Sequence, residues 1–162
     1  MTEERQTAGM QSTGEGDAVL AAFAERGFYV SETKGVSMRP LFHTHDSTVF
    51  ILPLTGEAKK YDAVLYPGKN GYVLHRVIGV DEKIYRIRGD NTYRTEYVPK
   101  ERVVGILTEF VRRGKHHTTA ERSYRLYVRV WTAIYPVRYV IYTVSRFCYR
   151  VLRRLFRGKR KK

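Results

Sequence analysis

A hydroxyl, an imidazole and a carboxylate stand along this chain in an order that suits nucleophilic catalysis. Ser37 lies in GVSMRP (Gly35 to Pro40), and His75 lies 38 residues on in LHRVIGV (Leu74 to Val80). Asp90 follows 15 residues later in RGDN (Arg88 to Asn91). A serine hydroxyl is a poor nucleophile at neutral pH unless a base takes its proton, and the base works better when a third group holds its tautomer. Gly35 permits close backbone approach just before the serine, and Pro40 stiffens the chain just after it. The backbone N–H groups of Ser37 and Met38 are expected to face an oxyanion, with Met38 and Pro40 touching substrate. His75 sits in a strand-like run, which gives its side chain one defined face. Asp90 follows Gly89 at a strand-to-loop bend, where an acid can approach a neighbouring strand. His43, His45 and Asp46 cluster after the serine box, but no fourth ligand accompanies them, so neither a metal nor another cofactor is expected.

The elements that must position these groups are mostly strands. Ser47 to Leu54, Ala63 to Tyr66, Tyr72 to Val80, Lys83 to Arg88 and Arg102 to Arg112 are short β-branched or alternating runs. Turn signals such as Pro67-Gly68 and Lys69-Asn70-Gly71 separate them. This predicts a mainly β protein built on a coiled antiparallel sheet. Residues 1–16 read as a disordered lead, and Asp17 caps a short helix that Gly27 stops. The expected division is a catalytic β domain over residues 17–113, a linker over 114–120 and a basic helical tail over 121–162, broken at Pro136.

The stretch from about Gly35 to Gly105 resembles the catalytic core of type I signal peptidases and LexA-like repressors. Ser37-Met38-Arg39-Pro40 is similar to the family's Ser-Met-x-Pro nucleophile box. Asp62-Ala63-Val64-Leu65-Tyr66 resembles its following strand, with Tyr61 where glycine is usual. Leu74-His75-Arg76-Val77-Ile78 resembles the base box, with histidine in place of the lysine of ordinary bacterial members. Arg88-Gly89-Asp90-Asn91 resembles the Gly-Asp-Asn box of the endoplasmic-reticulum and archaeal type, a pattern also found in some Gram-positive bacteria. The resemblance implies a β-rich serine endopeptidase with Ser37 as nucleophile and His75 as general base. In the eukaryotic members the acid lies six residues beyond the Gly-Asp-Asn aspartate, where this chain has Glu96. Asp90 and Glu96 are therefore both candidates for the third group, with Asp90 slightly preferred.

Charge divides the chain unevenly. Residues 112–162 carry 16 Lys/Arg against the single acid Glu121, and the rest is close to neutral. A basic stretch that also contains Trp131, Tyr135, Tyr139 and Tyr142 suits a helix at an anionic membrane surface. Packing on its own domain and spanning the bilayer are the alternatives. No recognised DNA-binding motif points to nucleic acid. No secretion signal or apolar N-terminal anchor is visible, so the expected setting is the cytoplasmic side of a membrane. The expected partner is a peptide or preprotein bound in extended form. Two other readings stay open. One is a LexA-like regulator that cuts itself, for which Ala8-Gly9 is the candidate bond. The other is an inactive membrane-surface scaffold of the same fold. The single cysteine, Cys148, excludes an internal disulfide.

Overall fold

Alternating burial along short β-branched runs builds most of this protein. The computed structural model describes residues 18–158. The lead, Asp17, the Ala8-Gly9 bond and residues 159–162 lie outside the described residues. A first helix, α1, covers residues 18–26. Gly27 ends it in the left-handed region (φ 76°) and returns its N–H to the Phe23 carbonyl at 3.1 Å.

Eight strands follow among the described residues: β1 Tyr29–Glu32, β2 Ser47–Pro53, β3 Ala63–Gly68, β4 Gly71–Val80, β5 Ile84–Arg88, β6 Glu96–Pro99, β7 Gly105–Arg112 and β8 Lys115–Thr118. They form one antiparallel sheet in the order β1-β2-β7-β3-β4-β5-β6. The far edge of β7 is shared. Gly105 and Ile106 at its start pair with β3, and Glu109 to Arg112 at its end pair with β8. The five predicted strands are present as β2, β3, β4, β5 and β7, and β1, β6 and β8 add to them.

The β8 strand corrects the expected linker over 114–120. Arg112 pairs with Lys115, leaving Arg113 and Gly114 as a two-residue hairpin loop with φ values of 50° and 72°. Two left-handed residues are what a tight hairpin of native twist requires, and Gly114 supplies one without steric cost.

The sheet buries both faces. On β3, Ala63 and Leu65 join a cluster with Val49, Ile51, Leu107 and Phe110, while Val64 and Tyr66 join a second with Val77, Tyr85, Ile87 and Val98. Two helices end the chain: α2 Arg122–Ala133 and α3 Tyr135–Gly158. The break at Ile134 falls just before Pro136, which tolerates only the first turn of a helix. The α2 helix is not a free tail, because Tyr124 and Val128 are buried in the first cluster. Among the described residues, no helix is long and apolar enough to cross a membrane.

Candidate active site

Register decides where the two neighbours His75 and Arg76 go. Val64 pairs with His75 and Ala63 pairs with Arg76. Directly opposed residues share a face of the sheet, and successive residues alternate. His75 therefore points to the side of Val64 and Tyr66, and Arg76 to the side of Ala63, Leu65 and α2.

On the first side, the Nδ1 atom of His75 lies 3.2 Å from Glu96 Oε1 and 3.1 Å from Tyr66 Oη. Tyr66 in turn donates its hydroxyl proton to Glu96 Oε2 at 3.0 Å. Glu96 arrives from β6, whose register sets it against Ile87 on this same face. With its own proton given to Glu96, the Tyr66 oxygen accepts from Nδ1–H while the carboxylate stands beside that nitrogen as counter-charge, which leaves Nε2 as the acceptor nitrogen. Burial pushes the His75 pKa below the usual imidazole value, and the Glu96 carboxylate opposes that shift without cancelling it. The ring is neutral at neutral pH and ready to take a proton. Burial, and then Glu96, push the Tyr66 phenol up, so it stays a donor.

The Nε2 atom stands at the serine segment. A Cβ on Gly89 would lie 3.0 Å from His75 Nε2 and 2.7 Å from the Ser37 carbonyl oxygen. Only glycine admits both neighbours there. Two residues on, Asn91 donates its backbone N–H to that Ser37 carbonyl at 2.7 Å, and its side-chain amide to Val36 O at 3.2 Å. The RGDN loop therefore fastens the serine segment beside the imidazole. Among the described residues no hydrogen bond joins the Ser37 hydroxyl to the ring; catalytic hydrogen bonds are often long or poorly aligned before substrate binds. The Ser37 and Met38 N–H groups bond to no backbone carbonyl among the described residues.

Ser37 also lines a cleft of about 410 Å³. Apolar residues, including Phe42, Val49, Ile51 and Leu65, lie along the cleft, with Tyr72 to Leu74 of β4 beside them. Met38 lines it too, although most of its side chain is buried in the core. Pro40 does not line it and is exposed. His75 does not line the cleft either, its ring being at Gly89.

The second side is a buried ion pair. Arg76 Nε and Nη2 donate to the two oxygens of Asp90, each at 2.7 Å, with side-chain exposures of 1% and 3%. Burial works against the Arg76 charge, and Asp90 more than offsets it, holding the guanidinium pKa above its usual value. Arg76 Nη1 also donates to Tyr61 O and Tyr124 Oη. The helices close over this pair. Tyr127 donates to Asp90 Oδ2 at 3.2 Å, and Trp131 Nε1 and Arg138 Nη2 donate to the Asp90 carbonyl at 2.9 and 2.7 Å.

Of the two candidate acids, then, Glu96 reaches the imidazole and Asp90 is engaged by Arg76. The sequence preference for Asp90 as the imidazole's partner is corrected, because parity along the strands puts Asp90 with the arginine. Sequence reasoning also missed Tyr66 and Gly89. Tyr66 lies two residues after Val64, and only knowledge of the Val64–His75 pairing would have shown that the two rings meet. Of the cluster after the serine box, His45 faces Glu32 at 3.4 Å and Asp46 faces Arg113 at 3.6 Å. No protein-family model and no curated protein matches the chain.

Proposed function

We propose that this protein is a serine endopeptidase of the signal-peptidase-like kind, with Ser37 as nucleophile, His75 as general base and Glu96 as the acid that orients it. The observation that carries the reading is the polarity of the imidazole: Nδ1 faces Glu96 and Tyr66, and Nε2 is left at the serine segment. In that arrangement Nε2 takes the Ser37 proton as the hydroxyl oxygen attacks a peptide carbonyl. The same proton passes to the departing amine, and water then releases the acyl group from Ser37 with His75 again as base. The Ser37 and Met38 amides, which bond to no backbone carbonyl among the described residues, are the donors assigned to the developing oxyanion.

Two unpaired strand edges border the cleft and favour an extended peptide as the substrate. The β1 strand pairs with β2 alone, and β4 has only β3 as a partner until Arg76, where β5 joins. A peptide laid along either edge gains backbone hydrogen bonds, and the apolar residues of the cleft select its side chains.

Incubation of the purified protein with a library of unmodified peptides, read by mass spectrometry, tests the proposal. New termini are expected with the wild type and not with Ser37→Ala. Identical profiles from the two proteins would overturn it. Intact mass after incubation at raised pH separates the self-cleaving alternative, which predicts loss of the first residues in the absence of any added peptide.

A further inference from the structure

The two C-terminal helices use one face to hold the domain and leave the other bare. Tyr124, Tyr127, Val128 and Trp131 of α2 face inward, as do Tyr135 and Arg138 of α3. Tyr142 continues that inward line by stacking on Tyr93, with ring centroids 4.0 Å apart. The opposite faces carry Leu126 and Val130 on α2, then Val137, Ile141, Val144 and Phe147 on α3, all about half exposed or more. The α3 residues recur at three and four positions, so they form one stripe along the helix. From Thr143 to Arg150 every side chain is exposed, and the stripe runs on past the end of the domain. Such a face, turned outward along two helices, is far more than the scattered apolar residues of an ordinary surface.

Charge says what covers it. Between Arg122 and Arg153 there are seven arginines and neither aspartate nor glutamate. Arg122, Arg125, Arg129, Arg146, Arg150 and Arg153 are all exposed. On α2, where Arg122, Arg125 and Arg129 share the outer side with Leu126 and Val130, a second copy would bring arginine towards arginine with no acid on the helix to compensate; on α3 Arg146 lies on the Tyr142 side, so the arginines there form the polar face opposite the stripe. Nucleic acid would satisfy the arginines and leave the apolar stripe in water. A surface that offers both hydrocarbon and fixed negative charge satisfies both halves at once, and that is an anionic lipid bilayer.

We infer that the outer face of α2 and α3 is a docking surface for anionic membranes, on which the helices lie in the plane of the headgroups. The inner face keeps its grip on the Asp90–Tyr93 loop, so the domain is held on the bilayer as a rigid body. The inference rests on the helices alone and does not require that the protein be a peptidase.

Cys148 gives a direct probe, since it is the sole cysteine, is exposed and follows Phe147 on α3. The full chain labelled there with an environment-sensitive fluorophore is mixed with vesicles of phosphatidylglycerol and phosphatidylcholine, or of phosphatidylcholine alone. Co-sedimentation and a blue shift are expected with the first and not the second, and added salt should weaken both. Ile141→Glu and Phe147→Glu, at exposed positions outside the core, should each reduce partition on the order of tenfold or more. Arg150→Glu should reduce it less and lower the salt dependence. Circular dichroism confirms that the variants stay folded. Equal binding by Ile141→Glu and wild type would overturn the inference. So would failure to bind vesicles, whether accompanied by a dimer in sedimentation that Ile141→Glu dissolves or by binding to an oligonucleotide that ignores it.

Discussion

His75 and Arg76 are consecutive on one strand, yet they serve opposite purposes. Each is buried and each meets one carboxylate. Around His75 the carboxylate is 40% exposed, a tyrosine shares it, and one ring nitrogen is left for other work. Around Arg76 every oxygen of the acid side chain is occupied, and three aromatic residues from α2 seal the pair. The difference separates a group kept reactive from a group kept immobile. An imidazole with one satisfied nitrogen can still exchange a proton, whereas a guanidinium in a bidentate pair has no further chemistry.

The largest test of the contrast is Ser37→Ala, which should remove peptide cleavage by a factor on the order of 10⁴ or more while leaving the melting temperature unchanged. A comparable loss of stability with no effect specific to cleavage would dissolve the distinction between the two sides.

Asp90→Ala should do the reverse. It strands a buried charge, and urea unfolding should show a loss of about 3–5 kcal/mol. The double variant Arg76→Met, Asp90→Leu should recover most of that loss, since an apolar pair of similar size carries no uncompensated charge. If Asp90→Ala unfolds at the wild-type midpoint while cleavage collapses, Asp90 belongs with the chemistry after all.

Glu96→Gln should lower kcat by roughly 10²-fold or more with stability nearly intact, because the amide no longer steadies a positive imidazole. The pH profile sharpens the assignment. With His75 as the proposed base, cleavage should need the neutral ring, so the rate should fall as pH drops through the imidazole pKa, which burial already holds low. Glu96 works against that burial and raises the pKa, so its removal should move the acid limb to lower pH. A shift to higher pH would contradict the contact seen here.

Tyr66→Phe should have the smallest effect. It deletes one hydroxyl shared by His75 and Glu96, a loss of about 1 kcal/mol in stability or a few-fold in kcat. Unchanged stability and unchanged cleavage would mean that Glu96 alone holds the ring.

Much of this was readable in the chain. The runs STVFILP and GYVLHRVIGV became β2 and β4 because β-branched residues at alternating positions have nowhere else to bury themselves. Gly27 stopped the first helix as expected, and Pro136 divided the C-terminal helices. The fold class followed from those local rules. The β6 and β8 strands were missed for the opposite reason. Glu96–Pro99 and Lys115–Thr118 are four residues each, too short to show a period, the second is polar throughout, and they are strands because β5 and β7 offer them an edge. The helical stretch was legible as amphipathic and basic, but not which face would turn inward.

The identity of the candidate groups was written in the sequence: a serine between glycine and proline, a histidine in a strand, two acids beyond it, and a C-terminal stretch with one sign of charge. Which acid meets which base was decided only by pairing between strands. Side chains alternate from one face to the other, so a shift of a single residue in register would have exchanged the surroundings of His75 and Arg76. Local propensity can make a strand, but it carries no record of the neighbour, and the neighbour determines which carboxylate a buried ring will find.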